Sequence, residues 1–302
     1  MSFTVNVKNE VTKQEFSKLE KISLLSAIIS TGLESENKIA TENNSLARLL
    51  FSLIKELLKT NPTITLRKGY NYQKKMLYIL KINNTDFKDI LGIGDNGIPK
   101  EYIIDDEESK RSYLKGVFLM RGSINDPKKS RYHLEFSLDN REYSYFINDL
   151  LNSYKLNSKV LKRENKYMVY IKEAEKIGDF LRIIACNNAV LYYEDIRIYR
   201  DHVNMTNRLN NCEQANVDRI IETSNQQVND IELIIKEFGL DLLDEKERLV
   251  AEYRLKYKDA SLQELSEIIG IETDTNITKS GLYHRFKKIT ELANKLRNKE
   301  HL

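Results

Sequence analysis

Residues 112–123 read SYLKGVFLMRGS, and no surface element can be made of them. On a helix, Tyr113, Gly116, Val117 and Met120 fall on one side and Leu114, Phe118 and Leu119 cover most of the rest. Lys115 and Arg121 carry the only charges. A helix apolar all round needs protein on every side. Gly116 costs such a helix about 1 kcal/mol relative to alanine. Its compensation is that a second backbone can come close. Gly122 reads as the helix stop.

The pattern occurs once before. Residues 22–33, ISLLSAIISTGL, contain no charge, carry small Ser26 and Ala27 in mid-helix, and align on the later stretch at an offset of 90, Leu24 on Leu114 and Gly32 on Gly122. After each stretch come a strand-like piece, a helix with charged faces and two β-rich runs. In the first unit the helix and runs are 46–58, 63–67 and 76–82. In the second, the pieces are 132–138, 142–154, 159–163 and 167–172. The spacing predicts a duplicated α/β unit, with the two apolar helices as its seam.

Composition narrows what such a chain can be. With 302 residues, 41% of them apolar and 31% charged, it has material for two globular domains. A formal net charge of +3 makes any nucleic-acid role depend on where charge lies rather than on its sum. Cys186 and Cys212 stand alone, without a CxxC pair or an HExxH, which argues against a structural zinc or a disulfide framework. No apolar run is long enough to span a bilayer, and the N-terminus has no basic-then-apolar signal, so a cytoplasmic protein is expected.

In chain order, Thr12 is placed to cap a helix running through Glu15 toward Ile22. Residues 92–111 form a connector whose acids, 105–108, suit the N-terminus of the second core helix. Lys162, Arg163 and Lys166 sit on a tight hairpin, a solvated turn or a possible secondary DNA contact. His133 alternates on a strand, solvent-facing and inert. Residues 196–219 are rich in asparagine and arginine, and a helix over 217–238 ends at Gly239. The asparagine amides read more readily as caps on backbone groups in an interdomain hinge than as DNA contacts.

The C-terminal stretch carries the sharpest local signal. Ser261 and Glu264 form a capping box opening a helix that stops at Gly270. After a polar turn, a second helix has Leu282, Phe286, Ile289, Leu292 and Ala293 on its buried stripe and Lys279, Arg285, Lys287, Lys288 and Lys295 opposite. Residues 276–299 hold seven Lys or Arg against Glu291. A capped helix, a short turn and a basic amphipathic helix describe a helix-turn-helix. The alternative is a helical hairpin with a solvated basic face; the Thr278 and Ser280 hydroxyls beside the cations favour DNA, whose phosphates take both.

The segments YLKGVFLMRGSINDP (113–127), YHLEFS (132–137), YMVYIKEAEKIGDFL (167–181), NRLNNCEQAN (207–216) and ITKSGLYHRFKKI (277–289) resemble the WhiA family of bacterial DNA-binding regulators. The resemblance covers about residues 15–297. It implies an α+β protein: a duplicated LAGLIDADG homing-endonuclease-like domain over 1–200 (repeats about 15–90 and 110–195), an Asn/Arg-rich linker and long helix over 201–239, and a separate all-α helix-turn-helix domain over 240–302 with its motif about 261–297. It implies double-stranded DNA as partner, a nucleoid-associated location, and a role in sporulation or in cell division and chromosome segregation. The turn before ITKSG is longer than the family's usual one.

A LAGLIDADG nuclease needs a carboxylate before the final glycine of each core helix to hold its divalent ions. Those positions hold Thr31 and Arg121, and a hydroxyl or a guanidinium cannot replace a carboxylate on Mg²⁺. The expectation is a sequence-specific DNA-binding protein without enzymatic activity, metal or cofactor. Ser261, Thr278, Lys279, Ser280, Tyr283, His284 and Arg285 would lie at or near the major groove, with Lys287, Lys288 and Lys295 on phosphates. Two other readings stand beside it: a metal-dependent endonuclease using displaced acids such as Asp126 or Glu34, and a scaffold on which the N-terminal domain binds other regulatory proteins.

Overall fold

Ser2 opens a short helix, α1 (Phe3–Val11), by accepting Val5 N with its hydroxyl. Thr12 is therefore the C-cap of α1 rather than the start of the next helix. That start belongs to Ser17 and Glu20, a capping box at the head of α2 (Lys18–Gly32). The computed structural model describes residues 2–68, 76–84, 86–94, 96–129 and 131–299. The chain divides into two units, Met1–Asp201 and His202–Leu302.

In the first unit α2 is followed by β1 (Leu33–Glu34), β2 (Lys38–Thr41), α3 (Asn44–Leu58), β3 (Thr63–Lys68) and β4 (Met76–Lys81). After the one-turn α4 (Phe87–Ile90), the order repeats: α5 (Glu107–Arg121), β5 (Gly122–Ile124), β6 (Leu134–Leu138), α6 (Arg141–Ser153), β7 (Lys159–Arg163) and β8 (Lys166–Ile171). The sheets are antiparallel with identical strand orders, β1-β2-β4-β3 and β5-β6-β8-β7. The duplication expected from the 90-residue offset is thus the architecture of this unit. Helices α7 (Ala174–Ile183) and the start of α8 (Asn187–Phe238) close it.

Helices α2 and α5 are the seam. From Ser23 to Ile29 and from Ser112 to Leu119 every residue is buried. A Cβ on Gly116 would lie 2.6 Å from Leu24 O and 2.7 Å from the Ala27 Cβ, so backbone meets backbone there. The helices are also tied by side chains: the Ser112 hydroxyl donates to Glu20 O at 2.8 Å. Buried Lys115 keeps its ammonium 5.2 Å from the Phe16 ring centre. The acids of the connector act as expected, Asp106 capping α5 and Glu107 and Glu108 in its first turn. Gly122 stops α5 differently from the reading above. It is extended, not left-handed, and its missing side chain leaves room for the Phe118 ring.

The Asn/Arg-rich stretch is not a hinge of capped turns. It lies inside α8, and residues 204–223 are exposed along it. Helical backbone groups bond one another, so the asparagine amides have none to cap. The last turns of α8 belong to the second unit's core: Ile231 and Ile234 pack with Val250 and Ala251 of α9 (Glu245–Lys256), Leu265 and Ile269 of α10 (Leu262–Thr273), and Leu282, Phe286, Ile289 and Ala293 of α11 (Lys279–Lys299). Helix α10 runs through Gly270 and ends at Asp274, whose φ of 54° makes the turn. No described helix is long and apolar enough to cross a membrane.

Gly116→Ala is expected to cost a net of about 1–3 kcal/mol, overpacking outweighing the gain in helix propensity. Chemical denaturation of the two proteins checks this, and an equal or more stable variant contradicts the close approach.

Candidate nucleic-acid interface

The second unit is built to hold α11 by its apolar side. Ser261 Oγ accepts from Glu264 N at 3.2 Å and Glu264 Oε2 accepts from Ser261 N at 2.7 Å, the capping box expected for α10. Thr278 Oγ1 accepts from Gly281 N at 3.2 Å at the head of α11, so that hydroxyl is engaged in capping. Helix α8 is locked to α11 by Asp230, fully buried. Its carboxylate accepts from Arg297 at 2.6 Å, Thr290 Oγ1 at 2.7 Å and Gln226 Nε2 at 2.9 Å. Three donors satisfy a charge that would otherwise be costly to bury.

Sequence reasoning missed α9, although Asp244 and Glu247 form a second capping box that signals it. It also missed Arg254 of α9, which is 1% exposed. Arg254 Nη1 donates to Ala260 O at 2.6 Å in the turn before α10, and the guanidinium lies 5.3 Å from the Phe286 ring centre. No local pattern distinguishes this arginine from a surface one.

Of the expected DNA contacts, Lys279, Ser280, Tyr283, His284, Lys287 and Lys295 are exposed on α11. By helical position Ser280, His284, Lys287 and Lys295 share the outward side, with Glu291 among them. Arg285 is half-buried on the flank, its guanidinium against Gly281. Lys288 is held at 3.2 Å by Glu247 of α9.

In the first unit the two nuclease-metal positions do meet. Arg121 Nε donates to Thr31 O at 2.7 Å, and its Nη2 lies 3.1 Å from Asp139 Oδ2. The Thr31 hydroxyl turns back to Ala27 O at 2.7 Å. Lys8 of α1 lies near them. Its own burial, then the Arg121 charge, bring its pKa from 10.5 down to about 8. Asp126 accepts from Lys128 N at 3.0 Å and from the Tyr192 hydroxyl at 3.2 Å, and Glu34 is exposed on β1.

The hairpin cations split. Opposed residues of an antiparallel ladder share a face. Arg163 pairs with Lys166, and both line a groove with Glu135 and Ser137. Lys162 pairs with Tyr167, in the row of buried Leu138, on the other face. His133 is not a free surface group: it is half-buried, 2.9 Å from Glu135 Oε2 and stacked near Tyr170.

Lys8 yields a signed pH effect. Its folded pKa lies below the unfolded one, so the fold bears the full cost of its charge below about pH 8 and sheds it as pH rises toward 10.5. The stability of the native protein relative to Lys8→Met should therefore rise across that window in denaturation series. A constant difference would contradict the burial of this ammonium.

Three family models match the chain: the WhiA N-terminal LAGLIDADG-like domain over residues 25–92, the WhiA LAGLIDADG-like domain over 110–203 and the WhiA C-terminal HTH domain over 206–293. A relative from Staphylococcus carnosus, named probable cell division protein WhiA, is 40% identical over 315 residues, covering 100% of this chain and 99% of that protein. One from Staphylococcus aureus with the same name is 39% identical over the same span. The crystal structure of full-length DUF199/WhiA from Thermatoga maritima superposes with a TM-score of 0.59 at 26% identity, covering 98% of this chain and 99% of that one.

Proposed function

Because the chain belongs to the WhiA family, we propose that it is a DNA-binding regulator acting in cell division, as its Staphylococcus relatives are named, and that it has no nuclease activity. Sporulation and chromosome segregation are the processes in which such regulation would be read out. The observation that carries the DNA reading is the outward side of α11. Lys287 and Lys295 stand exposed there beside the Ser280 hydroxyl and the His284 ring, with exposed Lys279 and Tyr283 on the adjoining flank, on a helix held from behind. Cations supply affinity for phosphates, and short polar and aromatic groups read base edges. Arg285 and Lys288, turned to the flanks, serve as lesser contacts.

Arg121 supports the loss of catalysis. A guanidinium bonded to Thr31 O and paired with Asp139 puts positive charge where a divalent ion would sit. Arg163 and Lys166 remain candidate secondary contacts on the open sheet face.

Lys287→Ala should weaken binding to all duplexes alike and lower the salt dependence of log K by about one. His284→Ala should relax sequence preference at one position, at a cost of about 1–3 kcal/mol on preferred duplexes. Both are read by fluorescence anisotropy on sequences selected from a random pool; wild-type behaviour of both variants would refute the assignment. Incubation with supercoiled plasmid and Mg²⁺ or Mn²⁺ should leave it intact, and cleavage abolished by Asp126→Ala would restore the nuclease reading.

A further inference from the structure

A cavity of about 330 Å³ in the second unit opens beside the helix-turn-helix and not within it. Its walls include Ser261 and Gln263 at the head of α10, Lys279 at the head of α11, and Arg219 and Thr223 of α8. Arg254 also lines it, fully buried, and its Nε has no hydrogen-bond partner. Neither Arg219 nor Lys279 is paired with an acid among the described residues. No carboxylate is among the residues lining it, and Glu264, in the first turn of α10, accepts from Ser261 N. Three cations and short polar donors thus border one cavity, and a phosphate takes charge-assisted bonds from several directions at once.

We infer that Arg219 of α8 and Lys279 of α11 together grip a DNA backbone phosphate, and that the DNA-contacting surface continues from the helix-turn-helix along α8. This rests on the DNA-binding reading above and extends it to a helix outside the motif. The composition of α8 fits. Arg208 stands 11 residues before Arg219, three turns and about 16 Å along the same face. Asn204, Asn211 and Ala215 lie on that face between and beside them, all exposed. Of the acids around it, Glu213 and Asp218 lie about 100–120° around the helix from Arg219, while exposed Glu222, three residues on, flanks it at about 60°. Between Arg208 and Arg219 this face carries asparagine and small side chains and no carboxylate, which lets that stretch of helix lie against a polyanion, and Asn and Arg are the residues that pair with adenine and guanine edges. Asp230, buried between α8 and α11, holds the two cation-bearing helices in register for this.

The test uses the full-length protein and a labelled mixed-sequence duplex of about 30 base pairs, three helical turns, titrated across a salt series. Arg219→Ala should bind several-fold more weakly, with a salt slope lower by about one, and Arg219→Lys should restore the slope. Arg208→Ala should change in the same direction. Thermal unfolding of each variant should match wild type, since both side chains are exposed. If Lys279→Ala loses affinity and slope while Arg219→Ala and Arg208→Ala keep both, the extension along α8 is overturned and the helix-turn-helix assignment stands. If the wild-type protein binds no duplex at all, both fall together.

Discussion

The first unit depends on one contact, the missing side chain of Gly116 against the carbonyl of Leu24. Because α2 and α5 approach to backbone distance, each is buried on nearly all sides. The two four-stranded sheets, hung from the ends of those helices, then cover the rest of the core. Gly32, at the end of α2, is less demanding. A Cβ there would meet only the flexible tip of Met120. Close packing at one glycine thus sets the spacing of the two repeats, and burial of Leu24, Ile28, Val117 and Phe118 supplies the stabilisation. Helix α1 adds a clasp. Thr4 bonds both backbone groups of Ile124, and Glu10 accepts from Asn188 N and Ala189 N at the head of α8.

The second unit is held by buried charge. Arg254 ties the turn before α10 to the core, and Asp230 ties α8 to α11. Asp230 has three donors, and Arg254 reaches several oxygens through Nη1 alone; such partners are what make burial of an ion tolerable and its position specific. A recognition helix must keep its angle to read a groove, and these two residues fix that angle from behind while the outward side stays free.

Most of the architecture was legible because it rests on local periodicity. The apolar helices, the repeat at 90 residues, the hairpin of β7 and β8 and the capping box at Ser261 all follow from residue spacing. Helix boundaries failed where a second cap competed, as Ser17 did with Thr12. Helix α10 outran Gly270 because a glycine inside a helix costs only about 1 kcal/mol and packing of Ile269 offsets it. The roles of Arg121, Lys8 and Arg254 were out of reach for a different reason. The sequence marks Arg121 as unable to hold a metal, while its hydrogen bond to Thr31 joins residues 90 positions apart, and nothing in the local sequence announces it. In the same way Lys162 and Arg163 look equivalent in sequence and face opposite ways in the ladder.

The Arg121 bond makes the two repeats unequal. The two repeats share one topology, as halves of an ancestral symmetric pair would, yet the tie between their helix ends runs one way, from Arg121 to the carbonyl of Thr31. Two copies of the first half would leave both ends untied. Two copies of the second would set guanidinium against guanidinium. The fused chain is the arrangement in which one half supplies the guanidinium and the other only a carbonyl, so the two halves of one topology are not interchangeable.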